Sequence, residues 1–228
     1  MSNAISLQLG ITSIGDLLIR KRVTRVRDAH VHEEVKLTIP NYQRPYKWSA
    51  KNAIQLLDDI IEAKKENKEV YRVGTLILHN IVDGQQRIIT FTLLLKALGA
   101  DGLTFLQEKL TDNPYTRKNI ASNYRAFERR LYAMAELRTK AEGSLEKLCD
   151  DRVITELREF IEERCELIVV VTNDISEAFQ FFDSQNARGK KLYPHDLLKA
   201  YHLREMDNVG EAETEAIVKR WEDVNQRA

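Results

Sequence analysis

Apolar positions along this chain change period several times, and each change marks an element. Leu17, Leu18 and Ile19 follow Thr12-Ser13, a hydroxyl pair able to cap a short amphipathic helix. Residues 35–39 alternate as a strand does, and Pro40, which has no N–H for a ladder, closes the run. Ser49 then caps a helix whose Ile54, Leu57, Ile60 and Ile61 form one apolar stripe. Residues 70–78 read as the next strand, and 88–98 as an apolar helix ended by Gly99. From about residue 104 to 164 the pattern is helical, rich in Leu, Glu, Lys and Arg, with breaks at Asn113-Pro114 and Gly143-Ser144. Residues 166–172 are a β-branched run of the kind found in buried strands. Asp174 and Glu177 form a capping box for a helix holding Phe179, Phe181 and Phe182. Pro194 opens a further helix with Leu197, Leu198 and Tyr201 on one face, and residues 212–224 are again helical.

Two strand pieces meet at His79-Asn80, an awkward two-residue turn, because the favoured ones place glycine after asparagine. A longer loop at this point is one explanation, which a Cα separation between Asn80 and Ile81 well above ~3.8 Å would show and normal bonding would refute. The order of elements gives an α+β chain: a small mixed sheet carrying the polar sites, flanked by a large helical part. Its expected divisions are a core at 1–100, a helical insert at 101–165, a return strand with helices at 166–205, and the start of a further helical region at 206–228.

Composition narrows the function. The chain has 228 residues, 35 Lys+Arg against 35 Asp+Glu, so non-specific coating of nucleic acid is disfavoured while a basic face remains allowed. Cys149 and Cys165 are too few for a disulfide framework and read as thiols of a reducing cytoplasm. No run approaches the roughly 18 apolar residues of a membrane span, and no signal segment opens the chain. A soluble, cytoplasmic protein is expected. The sequence holds no Walker loop, no zinc spacing and no assembled Ser-His-Asp set.

Three polar constellations abut apolar structure. Asp83-Gly84-Gln85-Gln86-Arg87 lies where a strand gives way to a helix, a ready seat for an anion at a helix N-terminus. A simple capped turn, with Asp83 as N-cap and Gly84 at the bend, accounts for only two of these five residues. The second is Tyr42, Gln43, Arg44, Tyr46, Lys47 and Trp48, stiffened by Pro40 and Pro45: aromatic faces stack on bases, and arginine grips phosphate. Trp48, beside the helix cap, is the one that reads as a staple. The third is the cationic loop after Phe181-Phe182, with Asn186, Arg188, Gly189, Lys190 and Lys191. One pocket assembled from all three would offer Arg44, Arg87 and Arg188 to phosphate oxygens, Asp83 to Mg²⁺ or a ribose hydroxyl, and Gln85 and Gln86 to an attacking water.

These blocks resemble the N-terminal domain of the GmrSD-type family of modification-dependent (type IV) restriction systems. The matching residues are Ile39, Pro40, Tyr42, Gln43, Arg44, Tyr46 and Trp48. They continue with Ile81 to Thr90, then Phe182 to Asn186 with Arg188, Gly189 and Leu192, then Asp196 to Lys199. The resemblance implies a ParB/sulfiredoxin-like core and hydrolysis of a nucleoside triphosphate with Mg²⁺, coupled to cleavage of modified phage DNA. It implies catalytic roles for Asp83, Gln86 and Arg87, with Asp83 also holding the metal. Tyr42, Gln43, Arg44, Tyr46, Gly84, Gln85, Thr90, Asn186, Arg188 and Gly189 would bind the nucleotide. The cutting would fall to a His-Asn-His nuclease domain, a motif that does not follow Asp196 here, so a sensor part without its nuclease is expected. The family's loop before Ile81 is usually longer, which again points to the turn at His79-Asn80. The alternative is a non-catalytic module that reads modified DNA.

Overall fold

The computed structural model describes residues 8–25, 31–32, 45–78, 81–103, 113–142 and 151–171, together with Val35, Leu37 and Ile39. The elements run β1 (Gln8–Ser13), α1 (Ile14–Leu18), β2 (Val23–Arg25), β3 (Val31–His32), α2 (Ala50–Lys65), β4 (Tyr71–Leu78) and β5 (Ile81–Asp83). They continue with α3 (Gln85–Ala97), α4 (Pro114–Glu142), α5 (Asp151–Arg164) and β6 (Cys165–Val171). The six strands form one mixed sheet in the order β3-β2-β1-β6-β4-β5. The α+β expectation holds.

β6, the latest in sequence of the described strands, lies in the middle. It pairs antiparallel with β1, from Gln8↔Val171 to Ser13↔Glu166, and parallel with β4, from Tyr71↔Cys165 to Leu78↔Val171. Its Cys165, Leu167, Val169 and Val170 are buried, as apolar residues of a central strand should be. β1 has no such apolar run, and it becomes a strand through its pairing with β6 and β2. The strand expected at 35–39 is a correction. Val35, Leu37 and Ile39 pack half-buried on the core outside any strand, with the Val35 N–H donating to Lys21 O at 2.7 Å. Anchoring to the turn after α1 replaces ladder pairing there, and the sheet edge falls instead at β3.

Local signals place the helices well. Ser13 caps α1, its Oγ accepting from Asp16 N at 3.0 Å. At the start of α2, Asn52 Oδ1 accepts from both Ser49 N (3.1 Å) and Ser49 Oγ (2.8 Å). Leu57 and Ile60 are fully buried beneath that helix, with Ile54 and Ile61 at the margin. β4 and β5 form a hairpin with Leu78 opposite Ile81 and a register irregularity before Asp83. His79 and Asn80 lie outside the described residues, and with them the question of a longer loop.

α3 is the central helix. Every residue from Gln85 to Leu95 is buried except Arg87, which explains its lack of an amphipathic stripe. α4 and α5 do not stand apart from it: Phe127, Leu131, Leu157, Phe160 and Ile161 share one hydrophobic cluster with α2, α3 and the sheet. Surface ion pairs join the helices, Arg130 to Asp58 across α4 and α2 (2.8 Å) and Lys64 to Glu156 across α2 and α5 (3.1 Å). Among the described residues no helix is long and apolar enough to cross a membrane.

Candidate functional site

The junction between β5 and α3 is built by Gly84. It occupies the N-cap position with φ 93° and ψ −4°, a left-handed conformation that glycine adopts without a Cβ penalty. A Cβ here would also lie 2.8 Å from Leu76 Cδ1. Asp83 therefore sits in β5, not at the cap, and α3 starts at Gln85, three residues before the apolar run. The sharp turn lets the strand enter the helix directly, so Gln85, Gln86 and Arg87 become its first turn. Glycine has no side chain to cap the free N–H groups there, and that turn carries no acidic residue.

Each of the three polar residues has a different task. Gln86, 8% exposed, spends its amide on the loop before α2: Oε1 accepts from Lys47 N (2.8 Å) and Trp48 N (3.2 Å), and Nε2 donates to Pro45 O (3.2 Å). Arg87 folds back over β4, its Nη1 donating to Thr75 O at 3.0 Å. The guanidinium occupies the space above Gly74, where a Cβ would lie 2.0 Å from Nη1. Gly74 (φ 134°) lies where the β4–β6 register shifts, so an irregularity in the strand makes room for the cation. Gln85 is 5% exposed, and its Oε1 has no hydrogen-bond partner among the described residues. A buried acceptor left open costs about 1–3 kcal/mol.

Tyr46 ties this turn to α4. It is fully buried, so the aromatic face expected to stack on a base is covered by protein. Asn123 Nδ2 donates to Tyr46 OH (2.7 Å); Tyr46 OH and Thr90 Oγ1 are 2.7 Å apart; Thr90 Oγ1 donates to Gln86 O (2.8 Å). Thr90 commits its proton to a carbonyl, so Tyr46 must be the donor to Thr90. Burial pushes the Tyr46 hydroxyl pKa upward, only partly offset by its bonds to Thr90 and Asn123, so the neutral form is the one held.

The loop backbone is gripped along its length. Tyr46 N donates to Thr116 Oγ1 (3.0 Å), Asn119 Nδ2 to Tyr46 O (2.8 Å), and Asn123 Nδ2 to Trp48 O (2.9 Å). Thr116, Asn119 and Asn123 were not singled out from sequence. Their signal is there, as polar residues at i, i+3 and i+7 along the face of α4 that otherwise carries Ile120, Phe127 and Leu131. Thr90, expected at the nucleotide, is fully buried within this network.

Tyr42, Gln43 and Arg44, and Asn186, Arg188 and Gly189, lie outside the described residues. Two of the three constellations thus meet in part, through the contacts of Gln86 and Thr90 with residues 45–48. The sequence matches the family described as the GmrSD restriction endonuclease N-terminal domain over residues 26–203, more than half of the chain. The chain belongs to this family. No curated protein matches it. The GmrSD match takes in the glycine turn, the gripped loop, α4 and β6, and it identifies a restriction-system protein. α1 and the strands β1 and β2, two of the three on one side of β6, precede the matched GmrSD segment.

Metal chemistry at this GmrSD-type site has a limited donor set. Among the described residues no three His, Cys, Asp or Glu side chains gather to hold an ion. Mg²⁺ commonly binds through one or two carboxylates plus substrate phosphates. Asp83 is the carboxylate residue of the Asp83–Arg87 block, so among the described residues the donors would suit a cation arriving with a phosphate.

Proposed function

We propose that this GmrSD-type domain binds a nucleoside triphosphate at the start of α3, hydrolyses it, and so regulates a nuclease acting on modified DNA. The observation that carries the reading is the left-handed Gly84 opening a helix that has no side-chain cap and no acid in its first turn, with Arg87 beside it. Free N–H groups, the positive end of the helix dipole and a guanidinium together favour a polyanion. Asp83 would supply the protein ligand to Mg²⁺, which neutralises phosphate charge when bound. Gln86 holds the neighbouring loop in place, and Gln85 offers its open acceptor to a hydroxyl or amino group of the nucleotide. Arg44 and Arg188 complete the phosphate contacts in this reading.

A DNA partner has its own support. On α4 the exposed Lys118, Arg125 and Arg129 fall within about 40° of one another at 100° per residue, opposite the Asn123 face. None of them is in an ion pair among the described residues, so a local positive footprint exists on a chain of zero formal charge. The ParB/sulfiredoxin-like ancestry of the core and a C-terminal or separate His-Asn-His nuclease domain belong to the same proposal.

The deciding experiment is a thermal-shift and phosphate-release series with the four ribonucleoside triphosphates, with and without Mg²⁺. Mass action should raise Tm with one or more of them. Arg87→Ala should abolish turnover while the protein stays folded. A wild-type protein that neither shifts nor releases phosphate with any of them defeats the reading.

A further inference from the structure

We infer that Asn123 of α4, acting through Tyr46 and Thr90, is a positioning residue that sets the pose of the first turn of α3 and of the loop at 45–48. This rests on the nucleotide-site reading for its functional meaning, but its geometry stands alone. Two routes leave the Asn123 amide. One passes through Tyr46 OH and Thr90 Oγ1 to Gln86 O, in the first turn; the other goes to Trp48 O, in the loop whose Lys47 and Trp48 N–H groups Gln86 itself receives. The two routes close a ring of hydrogen bonds around Gln86. Every side chain on it is buried, with Asn123, Tyr46 and Thr90 fully so and Gln86 8% exposed.

A ring of this kind has one consistent arrangement of donors. The Asn123 Nδ2 protons go to Tyr46 and Trp48, the Tyr46 proton to Thr90, and the Thr90 proton to Gln86 O. Interrupting any link leaves a buried group unpaired, so the arrangement responds as a unit. Asn123 Oδ1 has no partner among the described residues. An amide held in the interior with one acceptor unused is poorly explained by packing and well explained by the need for its two donors. α4 is thereby coupled to the candidate site: a shift of α4 along its axis must break the ring or carry the first turn of α3 with it.

The test uses Thr90→Val, which keeps shape and loses the hydroxyl, Thr90→Ser, which keeps the hydroxyl, Tyr46→Phe, and Asn123→Asp, which removes the Nδ2 donors. Amide hydrogen exchange at Lys47 and Trp48 is compared with that at Val169 in β6, and calorimetry follows whichever Mg²⁺–nucleoside triphosphate the wild type binds. Thr90→Val, Tyr46→Phe and Asn123→Asp should raise exchange at Lys47 and Trp48 at least ten-fold relative to Val169 and weaken the nucleotide at least ten-fold. Thr90→Ser should stay within two-fold on both. Equal acceleration at Val169, or Thr90→Ser behaving like Thr90→Val, would mean general packing and overturn the inference. If the wild type binds no nucleotide, the site reading fails while the exchange comparison still decides this one.

Discussion

The two ends of α3 are finished in opposite ways. Its C-terminal end is closed by neighbours in sequence: Gly99 N donates to Lys96 O (3.1 Å) and Ala100 N to Leu95 O (3.0 Å), the paired bonds of a Schellman motif. Its N-terminal end has a glycine cap with no side chain, and the side chains of its first turn serve partners elsewhere in the sequence: Gln86 the loop at 45–48, Arg87 the strand β4. The closed end needs nothing further. The open end has no side-chain hydrogen bond from its cap residue, and a buried Gln85 oxygen there has no partner among the described residues.

Damage at the open end should therefore cost more than damage at the closed end. Gln86→Leu should have the largest effect, about 3 kcal/mol in denaturant unfolding, because it strips the partners from Lys47 N, Trp48 N and Pro45 O. Gly74→Ala should follow at about 2 kcal/mol, from a φ of 134° and the displacement of Arg87. Its nucleotide-induced Tm shift should fall with that displacement. At the closed end, Gly99→Ala should cost only about 1 kcal/mol, since a Cβ there meets nothing within 4 Å and the left-handed φ of 74° is the sole penalty. Gly99→Ala proving costlier than Gln86→Leu would break the comparison.

The smallest effect at neutral pH is a sharp one in alkali. Burial raises the pKa of the Tyr46 hydroxyl above 10.0 and that of the Cys165 thiol from 9.0 to about 12. In both cases the fold prefers the protonated form. Their contributions are therefore full below the unfolded values, and they are lost as pH rises through the folded ones. Stability followed by urea unfolding should be flat near neutrality and fall between about pH 9 and 12. Cys165→Ala should flatten the fall across that whole span, and Tyr46→Phe only the part above about pH 10. An unchanged alkaline profile in both variants would remove these two groups as its cause.

Much of this was legible in the sequence because the signals are local. Ser49 before the Leu57–Ile60 stripe, Gly99 after an apolar helix, and the β-branched run of β6 each fix backbone preference within a few residues. The Asp83–Arg87 block stood out as a candidate site for the same reason, as five polar or backbone-special residues between two apolar segments. The strand expected at 35–39 failed because alternation specifies a strand only when a neighbour offers a ladder, and β1 was overlooked because β6 supplies it from more than 150 positions away. The cap was misplaced by one residue: Asp83 has the better capping side chain, but a left-handed turn needs glycine, and packing against Leu76 leaves no room for anything else.

By itself, then, the sequence determined where helices start and stop, which faces are apolar, and which short block carries unusual chemistry, since these depend on neighbours along the chain. Only the tertiary structure decided that Gln86 and Thr90 would be spent on Tyr46 and its loop, that Arg87 would lie over Gly74, and that α4 would supply Thr116, Asn119 and Asn123. Those outcomes rest on donors and acceptors roughly 12 to 77 positions apart in sequence finding one another once water is excluded. No local propensity encodes such a pairing, because each group's need for a partner arises only when the fold buries it.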